Sequence, residues 1–460
     1  MRMTSLLWLR RDLRRRDHPA LLSARGETPG TDVAVVFVLD PALWSRSGAV
    51  RRAWVAASLR AAREEYDDRL AVRVGNPREV LPAVVSEVGA ASVHVSRETT
   101  PFGVRRDADV SEAVAAAGTR WVESGTPYAV GPGLVRNGTG DPYKVFTPFA
   151  RAWREHGWAA PAANPRRLDL VDLASDDEGE RLLDEALAED DLPALPDAGE
   201  RAALTRWRTF LDQDLAAYDQ ARDRPDLDGT SQLSAYLKVG AVHPRTLLAD
   251  LEDETAPGAA RFVTELAWRE FYADVLWHRP DSAWRDLRPQ LAGLSYDEPE
   301  DAVAAWRSGH TGYPFVDAGM RQLLATGWMH NRLRMITASF LTKDLHVWWP
   351  VGARWFLDHL IDGDVASNNH GWQWVAGTGT DAAPYFRVFS PVRQGERFDP
   401  DGDYVRRWVP ELAHLPGPAV HQPWAHPEGY THGYPRRIVD HAEERVEALR
   451  RYETGRSATS

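Results

Sequence analysis

Four stretches of the chain combine residue types that could bind a heterocycle or carry chemistry. In Glu265-Leu266-Ala267-Trp268-Arg269-Glu270-Phe271-Tyr272 the helical period places Glu265, Trp268 and Tyr272 on one face. A carboxyl beside an indole can hydrogen-bond a heterocycle against which the ring stacks. A Trp at a packing seam, with Glu at its solvent edge, accounts for the same pattern. Gly229-Thr230-Ser231-Gln232-Leu233-Ser234 follows an Asp- and Pro-containing segment and opens a helical run. Its three hydroxyls beside the N–H groups of a helix N-terminus form a phosphate cradle, or an ordinary N-cap.

The segment His330-Asn331-Arg332-Leu333-Arg334-Met335 makes Asn331 and Met335 i,i+4 neighbours, while Arg334 leans toward another flank. A buried arginine needs a carboxylate, and Asp362 and Asp364 of Leu360-Ile361-Asp362-Gly363-Asp364 are the expected suppliers. The fourth stretch, Asn368-Asn369-His370-Gly371-Trp372-Gln373-Trp374 followed by Gly379 to Arg387, is too polar and aromatic for a plain core helix. Functional and structural readings of it are about even. His330, His346, His359 and His370 form no HExxH or related spacing, so no metal site is expected. Gly131-Pro132-Gly133 does not sit between a strand and a helix and reads as a turn, and no nucleophile elbow, Walker loop or kinase set occurs.

Two kinds of element must position these residues. From Leu6 to about Glu123, β-rich runs (SLLWL, VAVVFVLD, AVRVG, SVHVS, RWVES) alternate with helical stretches such as Val50–Arg69 and Asp107–Ala117. That rhythm predicts a Rossmann-like α/β domain, residues 1–130, with a parallel five-stranded sheet. Residues 131–200 read as a long connector, rich in Pro, Ala, Asp and Glu from Ala159 onward. Residues 201–460 read as an all-α domain, with helical runs at Ala202–Arg222, Ala259–His278, Tyr313–Thr326, Asn331–Lys343 and Gly352–Leu360 and a frayed tail from Glu453.

Composition narrows the chemistry. With no cysteine among 460 residues, disulfides, zinc thiolates, iron–sulfur clusters and cysteine nucleophiles are excluded together. A formal charge of −12 argues against a protein that coats nucleic acid, yet leaves room for one local basic cleft. The N-terminal residues lack the apolar core of a signal peptide and no apolar run is long enough to span a bilayer, so a cytoplasmic protein is expected. Of the 19 tryptophans most fall in the second half, where they could fill a core, stack on bases or a cofactor, or be oxidised by one electron.

Taken together and in this order, the motifs resemble the cryptochrome/photolyase family, and most closely its bacterial class I members that act on cyclobutane pyrimidine dimers. Leu7-Trp8-Leu9-Arg10-Arg11-Asp12-Leu13, Tyr143-Lys144-Val145-Phe146-Thr147-Pro148-Phe149 and the run from Gly312 to Leu412 carry the likeness. The resemblance implies FAD held by a C-terminal helical domain, with Tyr218, Thr230, Ser231, Gln232, Leu233 and Ser234 at its phosphates. It places Phe262, Arg334, Asp362, Gly363 and Asp364 around the flavin and its ribityl–adenine side, and Asn368 opposite flavin N5. Trp268 and Trp374 would wall a lesion pocket in which Glu265 and Asn331 hydrogen-bond the pyrimidines and Met335 packs. Arg222, Arg269, Tyr272, Arg332, Arg387 and Gln394 would contact DNA containing pyrimidine dimers, bound by a monomer with no membrane involvement.

Trp372 and Trp349 match the flavin-proximal and middle members of the family's photoreduction chain, and Tyr296 stands at the distal position, with Trp306 as an alternative. His370 replaces a common glycine, and Phe262 a frequent Trp. Thr100-Pro101-Phe102-Gly103 resembles members with a deazaflavin (8-HDF type) antenna rather than a folate (MTHF) or none. A photosensory cryptochrome is the main rival, but the dimer-pocket residues are all present and few residues follow the last helical run. A (6-4) photolyase would carry histidine near the lesion in the 330–335 region, where Met335 stands.

Overall fold

The computed structural model describes residues 3–26, 31–165, 167–291, 294–380 and 386–457; Asp381–Tyr385 of the 379–387 motif therefore lie outside the described residues. The chain forms two compact units, dividing at Leu215/Ala216, Thr230/Ser231 and Pro280/Asp281.

The first unit contains all five expected strands: β1 (Thr4–Leu9), β2 (Asp32–Leu39), β3 (Leu70–Val74), β4 (Ala90–Val95) and β5 (Arg120–Glu123). They run parallel in the order β3-β2-β1-β4-β5, with Leu6 beside Ala34 and Val93, and Val36 beside Ala71. β1 is apolar over Leu6–Leu9 and β2 over Val33–Leu39, on both faces of the sheet, because helices cover both. Strand order reverses between β1 and β4, the crevice where parallel α/β sheets bind ligands. Helices after β2, β3 and β4 open on the same device, a side-chain cap followed by proline: Asp40-Pro41, Asn76-Pro77 and Thr100-Pro101.

Order extends into the expected connector. A short strand β6 (Asp169–Leu170) pairs with β2, and the helix Asp177–Leu187 buries Leu183 and Ala186 while Glu180 pairs with Arg60 and Arg63. Two buried apolar positions on a short acidic helix are too few to show as periodicity. The helix Pro257–His278 belongs to this first unit for a specific reason. Its buried Glu270 accepts N–H groups of Ala129 (2.5 Å) and Gly131 (3.1 Å), and its Asp274 that of Gly133 (2.7 Å). The Pro132-Gly133 turn is thus tied to the helix, and Gly133, at φ +84°, has no room for a Cβ beside Trp277.

The second unit is helical, with Glu300–Ser308, Pro314–Thr326, Asn331–Ser339, Trp349–His359, Val365–Ala376, Pro391–Phe398 and His441–Ser457 around a core that includes Trp306, Phe315, Leu333, Phe340, Trp349, Phe356 and Trp372. The expected 331–343 helix gives way at Phe340 to one π turn, Phe340–Asp344, and residues 453–457 continue the last helix rather than fraying. Among the described residues, no helix is long and apolar enough to cross a membrane, and no group of three or more His, Asp or Glu could hold a metal.

Candidate functional site

In the first unit the Pro257–His278 helix presents Glu265, Trp268 and Tyr272 as its periodicity predicts. Phe146 stacks on one face of the Trp268 indole at 3.6 Å with the planes 6° apart, and Tyr272 leans on it at 5.3 Å. The half-buried indole is therefore fixed in orientation by Phe146, a residue of the Tyr143–Phe149 motif. Glu265 pairs with Arg261 one turn earlier at 3.0 Å. Phe262 is buried against Trp207 and Phe210 (5.0 and 5.3 Å).

Arg269 donates to the carbonyls of Pro127 (3.0 Å) and Leu237 (3.3 Å) and lies 4.4 Å over Tyr128, contacts that use two of its five N–H groups. The helix after the hydroxyl-rich stretch spans Ser234–Val239 with Leu233 at its cap position, where no side chain caps it. Ser231 Oγ instead accepts the Leu233 N–H at 3.4 Å, and Gln232 adopts a left-handed φ of +50°. Tyr218, of the second unit, is buried at the start of the short helix Tyr218–Ala221.

At the centre of the second unit Arg334 Nη1 and Nη2 donate to the two oxygens of Asp362 at 3.1 and 2.7 Å, and its Nε to the Met329 carbonyl at 2.8 Å. Asp362 is buried and Arg334 a quarter exposed, so the pair is braced from behind and each terminal nitrogen keeps an N–H for a ligand. Asp364, the other expected partner, caps the helix Val365–Ala376 through the Ser367 N–H at 3.1 Å. Gly363 lies in the turn between them.

Asn368 spends both amide hydrogens, one on the Ala353 carbonyl (3.0 Å) and one on Asn369 Oδ1 (2.8 Å), and Asn369 in turn donates to the Ala283 carbonyl at 2.5 Å. This chain of donors fixes the amide orientation and leaves Asn368 Oδ1 as an acceptor. His370 does not distort the helix. Nδ1 is 2.7 Å from the Ala366 carbonyl and Nε2 2.8 Å from Ser282 Oγ, and burial holds its pKa down at about 4.

On the Asn331–Ser339 helix, His330 Nδ1 accepts the Arg332 N–H at 3.1 Å as the N-cap, Asn331 is exposed and Met335 half-buried. Arg332 pairs with Asp223 at 2.8 Å, lies 4.2 Å over Phe398 and reaches Met335 Sδ at 3.9 Å. Arg222 is 3.5 Å from the same carboxylate. Burial pushes Asp223 up, but the two guanidiniums outweigh it and hold its pKa below the usual carboxylate value. Arg387 lies 4.7 Å over Trp374, and Gln394 sits half-buried on the helix Pro391–Phe398.

Trp372 is buried against the backbone of Gly352, where a Cβ would fall 2.1 Å from its ring. One turn before Gly352, the buried Trp349 donates to Asp286 at 2.7 Å. Trp306 lies 6.1 Å from Trp372 but has no exposed surface. Tyr296 lies 6.5 Å from Trp348. The sequence motifs missed Asp223, Asp286 and Trp348, and gave Phe146 no partner. Only Trp348 announces itself, as half of a Trp-Trp pair.

A cavity of about 520 Å³ in the first unit is lined by Asp40, Asn76, Phe102, Arg105, Arg106 and Asp109, at the C-terminal ends of β2 and β3 and the start of the Pro101–Ala116 helix. Gly103 of that helix cannot take a Cβ, because the Glu98 side chain folds 1.9 Å from where it would stand. Burial raises Glu98, but Arg11, Arg106 and Arg10 more than offset it and bring the carboxyl to about 2.

Residues 5–166 match the family described as DNA photolyase, and residues 262–454 match the FAD binding domain of DNA photolyase. The chain is 40% identical to a deoxyribodipyrimidine photo-lyase of Halobacterium salinarum, covering 98% of this chain and 99% of the relative. It is 41% identical to one from Streptomyces griseus, covering 95% and 96%. A crystal structure of a class III photolyase from Agrobacterium tumefaciens superposes with a TM-score of 0.90 at 35% identity, over 99% of this chain and 98% of that one.

Proposed function

The chain belongs to the DNA photolyase family, and from that premise we propose how its own residues carry out the light-dependent repair of cyclobutane pyrimidine dimers in DNA. FAD bound in its reduced form would supply light-driven one-electron chemistry for opening the cyclobutane ring. The observation that carries the assignment of the site is the amide of Asn368. With both hydrogens spent on Ala353 and Asn369, its Oδ1 can only accept, and reduced flavin is the state that carries hydrogen on N5. The donor set therefore fits the group.

Arg334, braced by Asp362 and the Gly363 turn, holds the flavin ring system together with Asp364 and Phe262. Tyr218 and Thr230 to Ser234 hold the phosphates. Trp268 and Trp374 stack on the extruded dimer, Glu265 and Asn331 hydrogen-bond its pyrimidines, and Met335 packs beside it. Glu265 also stabilises the negative charge that develops on the dimer. Arg222, Arg269, Tyr272, Arg332, Arg387 and Gln394 hold the DNA strand, the arginines by local positive charge, which accommodates a nucleic-acid substrate on an acidic protein. Trp372, Trp349 and the aromatics beyond them supply electrons to oxidised flavin.

A deazaflavin antenna would occupy the cavity lined by Asp40, Asn76 and Phe102, with Arg105 and Arg106 positioned for its anionic groups; a folate or no antenna are the alternatives. The enzyme would act as a cytoplasmic monomer. Illuminated and dark samples of chemically reduced protein, incubated with a dimer-containing oligonucleotide, test the function: repair occurs only in light. A denatured sample that releases no FAD overturns it.

A further inference from the structure

Sequence comparison places a tyrosine, Tyr296, at the end of the electron-supply chain, but the surroundings of Trp349 offer other exits. Trp284 lies parallel to Trp349 at 6.5 Å, and Trp348 meets it edge-on at 6.5 Å, both within the range of direct aromatic contact. Tyr296 lies 6.5 Å from Trp348, so that phenol adjoins the indole pair at its Trp348 member.

The electrostatics separate the three candidates. Arg354 holds its guanidinium 5.0 Å over the Trp284 ring, and a positive charge there opposes a second one on the indole. Tyr296 loses an electron readily only if its proton leaves, yet burial, and next the carboxylate of Asp286, push the phenol well above its ordinary value. Trp348 has no cation over its ring among the described residues and is 39% exposed, whereas Trp349 and Trp306 have no exposed surface. Asp286, which accepts the Nε1–H of Trp349 at 2.7 Å, sets a carboxyl beside the buried indole of the Trp348-Trp349 pair. Burial raises the pKa of that carboxyl.

We propose that Trp348 is the solvent-facing end of the electron-supply chain, the residue on which the positive hole leaves the buried indoles; the inference rests on the photolyase reading of the site. One electron leaves Trp372 for the photoexcited oxidised flavin. Trp349 refills Trp372 with one electron, and Trp348 refills Trp349. The oxidised Trp348 indole releases its Nε1 proton to water. A soluble thiol then returns one hydrogen atom, electron and proton together, and is itself oxidised to a thiyl radical that ends as disulfide. Trp348 occupies the cap position before the Trp349–His359 helix in extended backbone, φ −62° and ψ 130°, so phenylalanine can replace it without strain.

The test uses flavin-loaded, oxidised full-length chain and reads the protein radical by transient absorption and time-resolved electron paramagnetic resonance. Wild type is expected to show a tryptophanyl radical that outlives the flash. Trp348→Phe should lower the yield of that long-lived radical roughly tenfold, equivalent to closing one exit against charge return. Tyr296→Phe and Trp284→Phe should leave it within about twofold. A tyrosyl signature in wild type that disappears in Tyr296→Phe, a selective loss in Trp284→Phe, or an unchanged radical in Trp348→Phe overturns the proposal. Acrylamide quenching of indole fluorescence, which needs no light-driven chemistry, should weaken in Trp348→Phe and stay unchanged in Tyr296→Phe. Repair by chemically reduced wild type tests the parent reading separately, because that reaction needs no electron from Trp348.

Discussion

Arg334 and Asp362 form a two-pronged ion pair in which the carboxylate is buried and the guanidinium faces outward. Removing the carboxylate leaves a half-buried arginine without its counter-charge, the costly way to break such a pair. Because Arg334 is a quarter exposed, the cost falls at the low end, about 2 kcal/mol, or roughly thirtyfold in flavin affinity. Asp362→Ala is expected to elute with less FAD per chain, and Asp362→Asn to fall between it and wild type. Flavin absorbance after dialysis measures both.

Glu265 is tied to Arg261 across one helical turn, so truncating it has two opposed effects. It removes a hydrogen bond that strengthens as charge develops on the dimer, and it releases an arginine to attract DNA. Glu265→Ala should lower repair per absorbed photon about tenfold, the scale of one charge-assisted hydrogen bond, while binding of damaged DNA stays level or tightens slightly. Parallel losses in both measurements would assign Glu265 to binding alone.

Asp223 neutralises part of the positive surface that Arg332 and Arg222 provide. Asp223→Asn should therefore steepen the salt dependence of DNA binding by about one counterion, and Arg332→Ala should flatten it by a similar amount. A titration of binding against salt concentration reads the slopes. The prediction fails if Asp223→Asn leaves the slope unchanged.

The parts of this enzyme that were legible in the sequence are those whose partners lie on the same element. All five strands were visible as apolar runs, and the faces Glu265/Trp268/Tyr272 and Asn331/Met335 followed from helical period alone. The Arg334–Asp362 pair was legible because a buried guanidinium has few means of compensation. What the sequence could not supply was long-range: Phe146 stacked on Trp268, Asp223 beneath Arg332, and the backbone carbonyls that draw Arg269 inward. The 257–278 helix likewise reads as part of the helical half until Glu270 and Asp274 are seen gripping the 129–133 backbone.

His330 caps its helix through Nδ1 and must be neutral to do so. Burial, with Arg332, Arg334 and Arg222 opposing the pull of Asp223, lowers its pKa to about 4, against roughly 6.5 in the unfolded chain. Between those values the unfolded chain takes up a proton that the folded chain refuses, so stability is full above pH ~6.5 and falls on acidification, by at most roughly 3 kcal/mol for this residue. Buried His18, His243 and His370, also near 4, add slopes of the same sign. His330→Asn keeps a capping side chain and should flatten the pH dependence by one proton. Unfolding midpoints at pH 7 and pH 4.5 provide the comparison.

The ring of Trp372 occupies the space a Cβ on Gly352 would need, so the Gly352 backbone fixes its seat. That contact holds it against the helix that carries Trp349, and the Asn368 side chain ties the same two helices together through Ala353. Phenylalanine at 372 keeps an aromatic ring but is far harder to oxidise, and the loss of packing should stay near 1–2 kcal/mol. Gly352→Ala has the opposite character: Trp372 stays oxidisable but is pushed off its seat, at an overpacking cost of about 1–3 kcal/mol. If the chain of aromatics supplies electrons, Trp372→Phe should abolish photoreduction of the oxidised enzyme at nearly unchanged thermal stability, whereas Gly352→Ala should slow photoreduction and lower the melting temperature together. Chemically reduced Trp372→Phe isolates the repair step, which draws on flavin and dimer alone. If these aromatics merely fill the core, both variants lose stability and neither changes the flavin photoreduction yield under continuous blue light.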